Sequence, residues 1–370
     1  MLMWFIIMIL VLAVFGFCIL FLISEFSRFE IIKKFTGEKK IKRFFCGALI
    51  EVLILAVLGI ILGALNAIVC IIFLAVFWIA SELFFYVFSK ILKKKIKYII
   101  IGVTSITVTV IYLAIAWYQC NNVWVTRYNV KSDKKVEKLR IIHFADAHIG
   151  TVFDGKELEK YVDDMNKQNA DVVVITGDFF DDETSKEDMI DACAALSKLK
   201  AEGGVYYVFG NHDKGYYGKD YRGYDYNDFV AELEKNNVMV LEDEGVPVKD
   251  DYYIIGRKDR GEEQNGNGRA SMEELVSGID EEKYTIVLDH QPHDYDAQKE
   301  AEVDLVLSGH THGGQLWSIK NMGFFIGEND NVYGLQKRGN TNFIVTSGIA
   351  DWELVFKTGC RSEYNVIDIE

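Results

Sequence analysis

The first 23 residues carry no charged side chain at all, and three more apolar runs of similar length follow within the next hundred positions. A run of about 20 apolar residues rises about 30 Å as a helix, the thickness of a bilayer's hydrocarbon core. Four such runs, at residues 1–23, 44–65, 67–88 and 98–118, predict four transmembrane helices, with the second and third joined by a turn around Asn66. No basic leader and no small-residue cleavage pattern marks the first run as a cleaved signal. Glu51 and Glu82 are expected toward the ends of their spans, where a carboxylate reaches the interface.

Loop charge gives a direction. Residues 27–43 hold seven Lys and Arg, and residues 89–97 hold five. The positive-inside bias puts both loops in the cytoplasm. The expectation is a multi-pass cell-membrane protein whose part beyond residue 118 is extracytoplasmic.

Composition changes sharply near Cys120. The first 120 residues contain 12 basic and 5 acidic side chains, against 28 and 49 in the rest. That acidity argues against a nucleic-acid backbone as the main partner, although bound metal ions can invert the charge within a pocket. Of six cysteines, four lie in the apolar third and read as small buried side chains. Cys193 and Cys360 have no metal-ligand spacing, and a disulfide between them is not expected. The expected divisions are a membrane anchor at 1–120, a juxtamembrane linker at 121–137 and a soluble domain at 138–370.

The soluble part repeats one design five times: an apolar run that ends in metal-binding side chains. "LRIIHFADAH" ends in Asp146 and His148, and "ADVVVITGD" ends in Asp178, with Asp181 beyond it. "GVYYVFGNHD" ends in Asn211, His212 and Asp213, "YTIVLDH" in His290, and "VDLVLSGHTH" in His310 and His312. Such runs read as strands buried on both faces. Helical patterns at 155–169, 185–199, 227–236 and 272–279 alternate with them, so helix-covered sheets are expected. Functional groups then gather beyond the carboxyl ends of the strands.

In an extended chain, residues i and i+2 point the same way, so Asp146 and His148 can converge on one ion. His310 and His312 share that spacing, or a turn divides them between two ions. Gly177, Gly210 and Gly309 precede the turns, where a β-carbon would obstruct. Carboxylate, imidazole and amide ligands suit Mn, Fe, Zn or a similar divalent ion. His143, inside the first strand, reads as a packed core residue.

The ordered set "DAH", "GDFFD", "GNHD", His before "QP", and "GHTHGGQ" resembles the calcineurin-like metallophosphoesterases, above all bacterial membrane-anchored members. The similarity spans residues 138–370, including "VYGLQKRGNTNFIVTSGIA" as closing strands. The resemblance implies an α/β (α+β) four-layer αββα sandwich. It also implies a dinuclear site, with Asp146, His148 and His312 on one metal and Asn211, His290 and His310 on the other. Asp178 would bridge them, and His212 would donate a proton, oriented by Asp181 or Asp213. Ala145 and Ala147 stand where the family usually has Ser and Leu, which touches packing rather than ligands.

The implied reaction is hydrolysis of phosphodiesters, phosphomonoesters or lipid-linked pyrophosphates. A nuclease of the same superfamily, or a non-enzymatic membrane sensor or transport module with a structural metal, are the alternatives. Residues 257–270 read as a mobile polar loop. The tyrosine-rich stretch 214–229 reads either as a substrate rim whose cations meet phosphate or as an ordinary surface loop.

Overall fold

A computed structural model describes residues 2–37 and 39–370, with side chains from residue 6 onward. The chain divides into two compact units, Met1–Ala116 and Trp117–Glu370. In the first, α1 (Leu2–Ser27), α3 (Lys40–Leu62), α4 (Ala64–Leu92) and α5 (Tyr98–Asn121, whose last turn belongs to the second unit) are each long and apolar enough to cross a membrane, and short α2 (Glu30–Thr36) lies in the first basic loop. The turn between the middle spans is at Gly63 rather than Asn66. Gly63 takes φ 83°, a conformation glycine adopts without steric cost, while Asn66 sits inside α4 and donates to the Leu62 carbonyl at 3.0 Å.

The two acidic residues noted in the spans differ. Glu82 bonds to Arg28 at 2.6 Å, and Arg28 also holds Glu25. Glu51, expected near a helix end, instead lies midway along α3 and is buried.

The second unit contains twelve strands: β1 (Trp124–Val130), β2 (Leu139–Phe144), β3 (Val172–Thr176), β4 (Val205–Val208), β5 (Val238–Val240), β6 (Glu244–Val248), β7 (Tyr252–Gly256), β8 (Tyr284–Leu288), β9 (Leu305–Ser308), β10 (Gly334–Arg338), β11 (Thr341–Val345) and β12 (Glu363–Ile369). They form two six-stranded sheets, ordered β1-β12-β2-β3-β4-β5 and β10-β11-β9-β8-β7-β6. All five strands read from the apolar runs are present. These five, β2–β3–β4 in one sheet and β8–β9 in the other, pair in parallel with one another.

Alternation along the strands builds the layers. Ile141, Val172 and Val174 face Ile254, Ile286, Leu305 and Ile344 in a core between the sheets. Their chain neighbours Ile142, Val173 and Ile175 face outward onto α6 (Leu158–Asn166), α7 (Lys186–Leu196) and the helix Tyr226–Lys235. On the far side, Ile255, Val287 and Val306 pack under helices Met272–Val276 and Tyr295–Glu300. The result is the expected helix–sheet–sheet–helix stack.

Two expectations about loops change. The stretch taken as a linker contains β1, which pairs in parallel with β12 from Trp124↔Glu363 to Val130↔Ile369. Its mixed polar composition suits an edge strand, and the apolar-run signal does not detect that. Residues 257–270 are anchored rather than free. Arg257 and Arg269 both ion-pair with buried Asp289, at 3.3 and 2.5 Å, and Asp243 accepts the N–H groups of Lys258 and Ala270.

Candidate metal centre

β2, β3, β4, β8 and β9 all end on one side of the paired sheets, and their next few residues converge. Asp146, His148 and His312 bring one donor atom each within 4.8 Å of one another, and Asp178, His290 and His310 form a second such group. The two late histidines therefore separate, His312 to the first group and His310 to the second. Asp178 lies between the groups, its Oδ2 3.0 Å from His290 Nε2 and 3.9 Å from His148 Nε2.

Backbone turns achieve this convergence, rather than the extended i, i+2 geometry. β2 ends at Phe144, and both Asp146 (φ 55°) and His148 (φ 37°) are left-handed. Asp178 (50°), His310 (70°) and His312 (50°) are left-handed as well. That conformation costs a non-glycine residue about 1–3 kcal/mol and collects at functional sites. The neighbouring glycines permit close approach. A β-carbon on Gly309 would stand 2.7 Å from Asp146 Oδ2, and one on Gly210 would collide with the Asp178 carboxylate.

The donor atoms are held ready and face one another rather than aligned hydrogen-bond partners. His148 Nε2, His290 Nε2, His310 Nδ1 and Asn211 Oδ1 are buried with no aligned hydrogen-bond partner among the described residues. Leaving several buried acceptors unpaired costs about 1–3 kcal/mol each, which a metal ion at the site offsets. The opposite ring nitrogens are fixed. His290 Nδ1 lies 2.6 Å from the Thr176 carbonyl, which accepts its proton and frees Nε2. His148 Nδ1 lies 3.3 Å from Asp181, and His312 Nδ1 lies 3.0 Å from Asp351, the latter off hydrogen-bond alignment. Asn211 Nδ2 donates to the Tyr216 hydroxyl at 3.4 Å, which leaves its oxygen as the ligand atom. This donor set fits a pair of divalent ions, with Asp146, Asp178, Asn211 and the histidines 148, 290, 310 and 312 to hold them.

Electrostatics agree with the geometry. Burial opposes ionisation of Asp178, but the imidazoles of His290, His212 and His148 prevail and hold its carboxyl well below the usual range. Burial lowers His212 below an ordinary histidine, against the pull of Asp178. His143, the expected core histidine, is fully buried beside Thr176 Oγ1 at 2.8 Å, and burial pushes it down to about 3.

The carboxylates expected to orient His212 are engaged elsewhere. Asp181 backs His148, and Asp213 accepts the N–H groups of Asp178, Phe179, Phe180 and Gly210. Asp213 thus clamps two ligand loops together. The His212 ring instead lies between aromatic neighbours, 5.5 Å from Tyr216 and 5.1 Å from Trp352. The backbone N–H of His212 donates to Asp178 Oδ1 at 2.8 Å.

The tyrosine-rich stretch offers no free cations to phosphate. Lys214 pairs with Glu242 and Glu262, Lys219 with Asp225 and Asp228, and buried Arg222 donates to the carbonyls of Asp181 and Asp213. Sequence reasoning missed Asp351, which sits in the unremarkable stretch "GIADW", and the carbonyl of Thr176, which no side-chain pattern reveals.

Comparison with known proteins agrees. Residues 139–314 match the calcineurin-like phosphoesterase family. The metallophosphoesterase YkoQ of Bacillus subtilis is 30% identical over 236 residues, covering 61% of this chain and 82% of its own. A metallophosphoesterase of Aquifex aeolicus is 31% identical over 200 residues, covering 53% of this chain and 72% of its own. A transmembrane protein with a metallophosphoesterase domain from Bos taurus is 29% identical over 243 residues, 62% of this chain and 52% of the relative. The chain spans about half the length of that protein and of its Danio rerio counterpart. On this similarity and this site, the chain belongs to the calcineurin-like metallophosphoesterase family.

Proposed function

We propose that this protein is a membrane-anchored hydrolase that cleaves a phosphate ester or anhydride at a dinuclear metal centre. The observation that carries the reading is the set of orphaned, buried donor atoms arranged as two groups about Asp178. When bound there, two divalent ions supply Lewis acidity to the phosphoryl oxygens and an activated water near neutral pH.

The chain's own residues do the rest. Asp178 carries the negative charge shared between the groups, and Asp181 and Asp351 orient His148 and His312 toward the ligand positions. His212 is the candidate to pass a ring proton to the leaving oxygen. Burial lowers its pKa, which makes the protonated ring the stronger acid. Tyr216 and Trp352 hold that ring at the mouth of the site. Orientation follows from the basic loops, which favour a cytoplasmic side for themselves and an outside position for residues beyond the fourth span.

Metal analysis of the full-length protein, paired with turnover of aryl monoesters, aryl diesters and a lipid pyrophosphate in added Mn, tests the proposal. Near two ions per chain and hydrolysis of at least one substrate are expected. Two ions without hydrolysis of any would favour a structural metal site, and preferential cleavage of DNA would favour the nuclease alternative. Protease added to intact cells should cut residues 121–370; cutting only after lysis would reverse the orientation.

A further inference from the structure

We infer that residues 316–325 form an interfacial patch that enters the acyl region of the bilayer in which this chain's own helices are embedded. The patch would deliver to the metal centre a substrate with a phosphate headgroup and an alkyl chain. This rests on the phosphoesterase reading above and adds the class of substrate to it.

The patch is unusual for a folded surface. Trp317, Ile319, Phe324 and Phe325 lie within nine residues and are 73%, 44%, 51% and 79% exposed. Single exposed hydrophobes are common, but a contiguous apolar cluster marks an interaction surface. Two open hollows, of about 360 and 300 Å³, flank Phe325 and share Lys320 and Asn321. Their lining is mixed, with Ser318, Asn321 and Asn331 beside the aromatic side chains, and apolar surface next to the Lys320 ammonium matches an acyl chain beneath an anionic headgroup.

Two independent connections lead away from this patch. One runs to the metal centre. Gly314, two residues beyond the ligand His312, lets the Lys320 backbone approach so closely that any β-carbon there would collide with it. The other runs to the last turn of the fourth span, which is part of the catalytic unit. Trp317 N donates to Thr358 Oγ1 at 2.8 Å, and Lys320 Nζ donates to the Gly359 carbonyl at 3.3 Å. Three residues on, Ser362 N donates to the Gln119 carbonyl at 3.0 Å and Ser362 Oγ to the Cys120 carbonyl at 2.7 Å. Exposed Trp117 and Tyr118 on that turn are the aromatic pair that commonly marks headgroup depth. The apolar patch is thus tied through one short loop to the point where the chain leaves the membrane, so the bilayer is the partner within reach.

The test uses the full-length protein in phosphatidylglycerol vesicles containing a lipid with a diazirine on its acyl chain. Photo-cross-links are expected in residues 316–325 and not in the Tyr216–Tyr217 rim, and the triple variant Trp317→Ser, Phe324→Ser, Phe325→Ser should lose them. The same preparations are given methyl and hexadecyl p-nitrophenyl phosphate, which share one reacting group. The wild type should favour the hexadecyl diester in kcat/KM by roughly 100-fold. The variant should lose most of that preference while keeping its methyl diester rate. Cross-links confined elsewhere, or equal kcat/KM for the two diesters in the wild type, would overturn the inference. Cross-linking in the patch with neither diester hydrolysed would support the membrane contact while removing the phosphoesterase reading.

Discussion

The two halves of the candidate metal centre each combine a carboxylate with two histidines but differ in what stands behind the imidazoles. In the first half, His148 and His312 each have a carboxylate at the rear nitrogen, Asp181 and Asp351. In the second, His290 rests on a backbone carbonyl, and the further donor is the neutral amide oxygen of Asn211. Carboxylate backing raises imidazole basicity and fixes its orientation. With ions bound, the first half would therefore hold its ion more tightly, while the second would leave more of its ion's charge uncompensated and available to a phosphoryl oxygen.

Substitutions can break or sharpen this contrast. The largest effect is expected for Asp178→Asn, which removes the charge both halves share. Turnover should fall at least about 1,000-fold and metal content should drop below two. Full occupancy by metal analysis would show that the carboxylate does not serve both halves. His212→Gln removes no candidate metal ligand and keeps the backbone N–H that Asp178 accepts, so two ions should remain. Cleavage of a diester with a poor alkoxide leaving group should fall about 100-fold, and an activated aryl ester much less. Equal losses on the two substrates would remove the proton-donor role.

A smaller and more selective change is expected from Asp181→Asn. One ion should bind about 10- to 100-fold more weakly, measured by chelator titration, while the other is held as before. Equal weakening of both would erase the distinction between the halves. The smallest effect belongs to Lys214→Gln. Its ammonium is engaged by Glu242 and Glu262, so KM should stay within about twofold and stability should change by under about 1 kcal/mol. A large rise in KM would return this lysine to the substrate site.

The parts of this arrangement that the sequence reveals share one property. β2, β3, β4, β8 and β9 are buried on both faces, so each is an unbroken apolar run, and each run stops where its ligands begin. β1 and β10 lie at sheet edges and carry mixed side chains, which no such pattern isolates. Contacts behind the ligands are harder still. Asp351 is 39 residues from His312, and the group behind His290 belongs to the main chain of Thr176. Asp181 was found from its spacing, yet spacing cannot say that it faces His148 rather than His212. The charged residues of 214–229 invite a phosphate partner on composition alone, while the folded chain supplies partners from Glu242, Glu262, Asp225 and Asp228.

The parallel pairing of β1 with β12 has a consequence for how the second unit can be released from the apolar helices. Only Asn122 and Val123 separate the fourth span's helix from an edge strand locked to the carboxyl-terminal strand. A shedding protease that cuts between residues 124 and 137 would strip away that edge and expose β12 to pairing with other chains. A released form that keeps its sheet intact has to be cut at Asn122–Val123 or within the last turn of that helix.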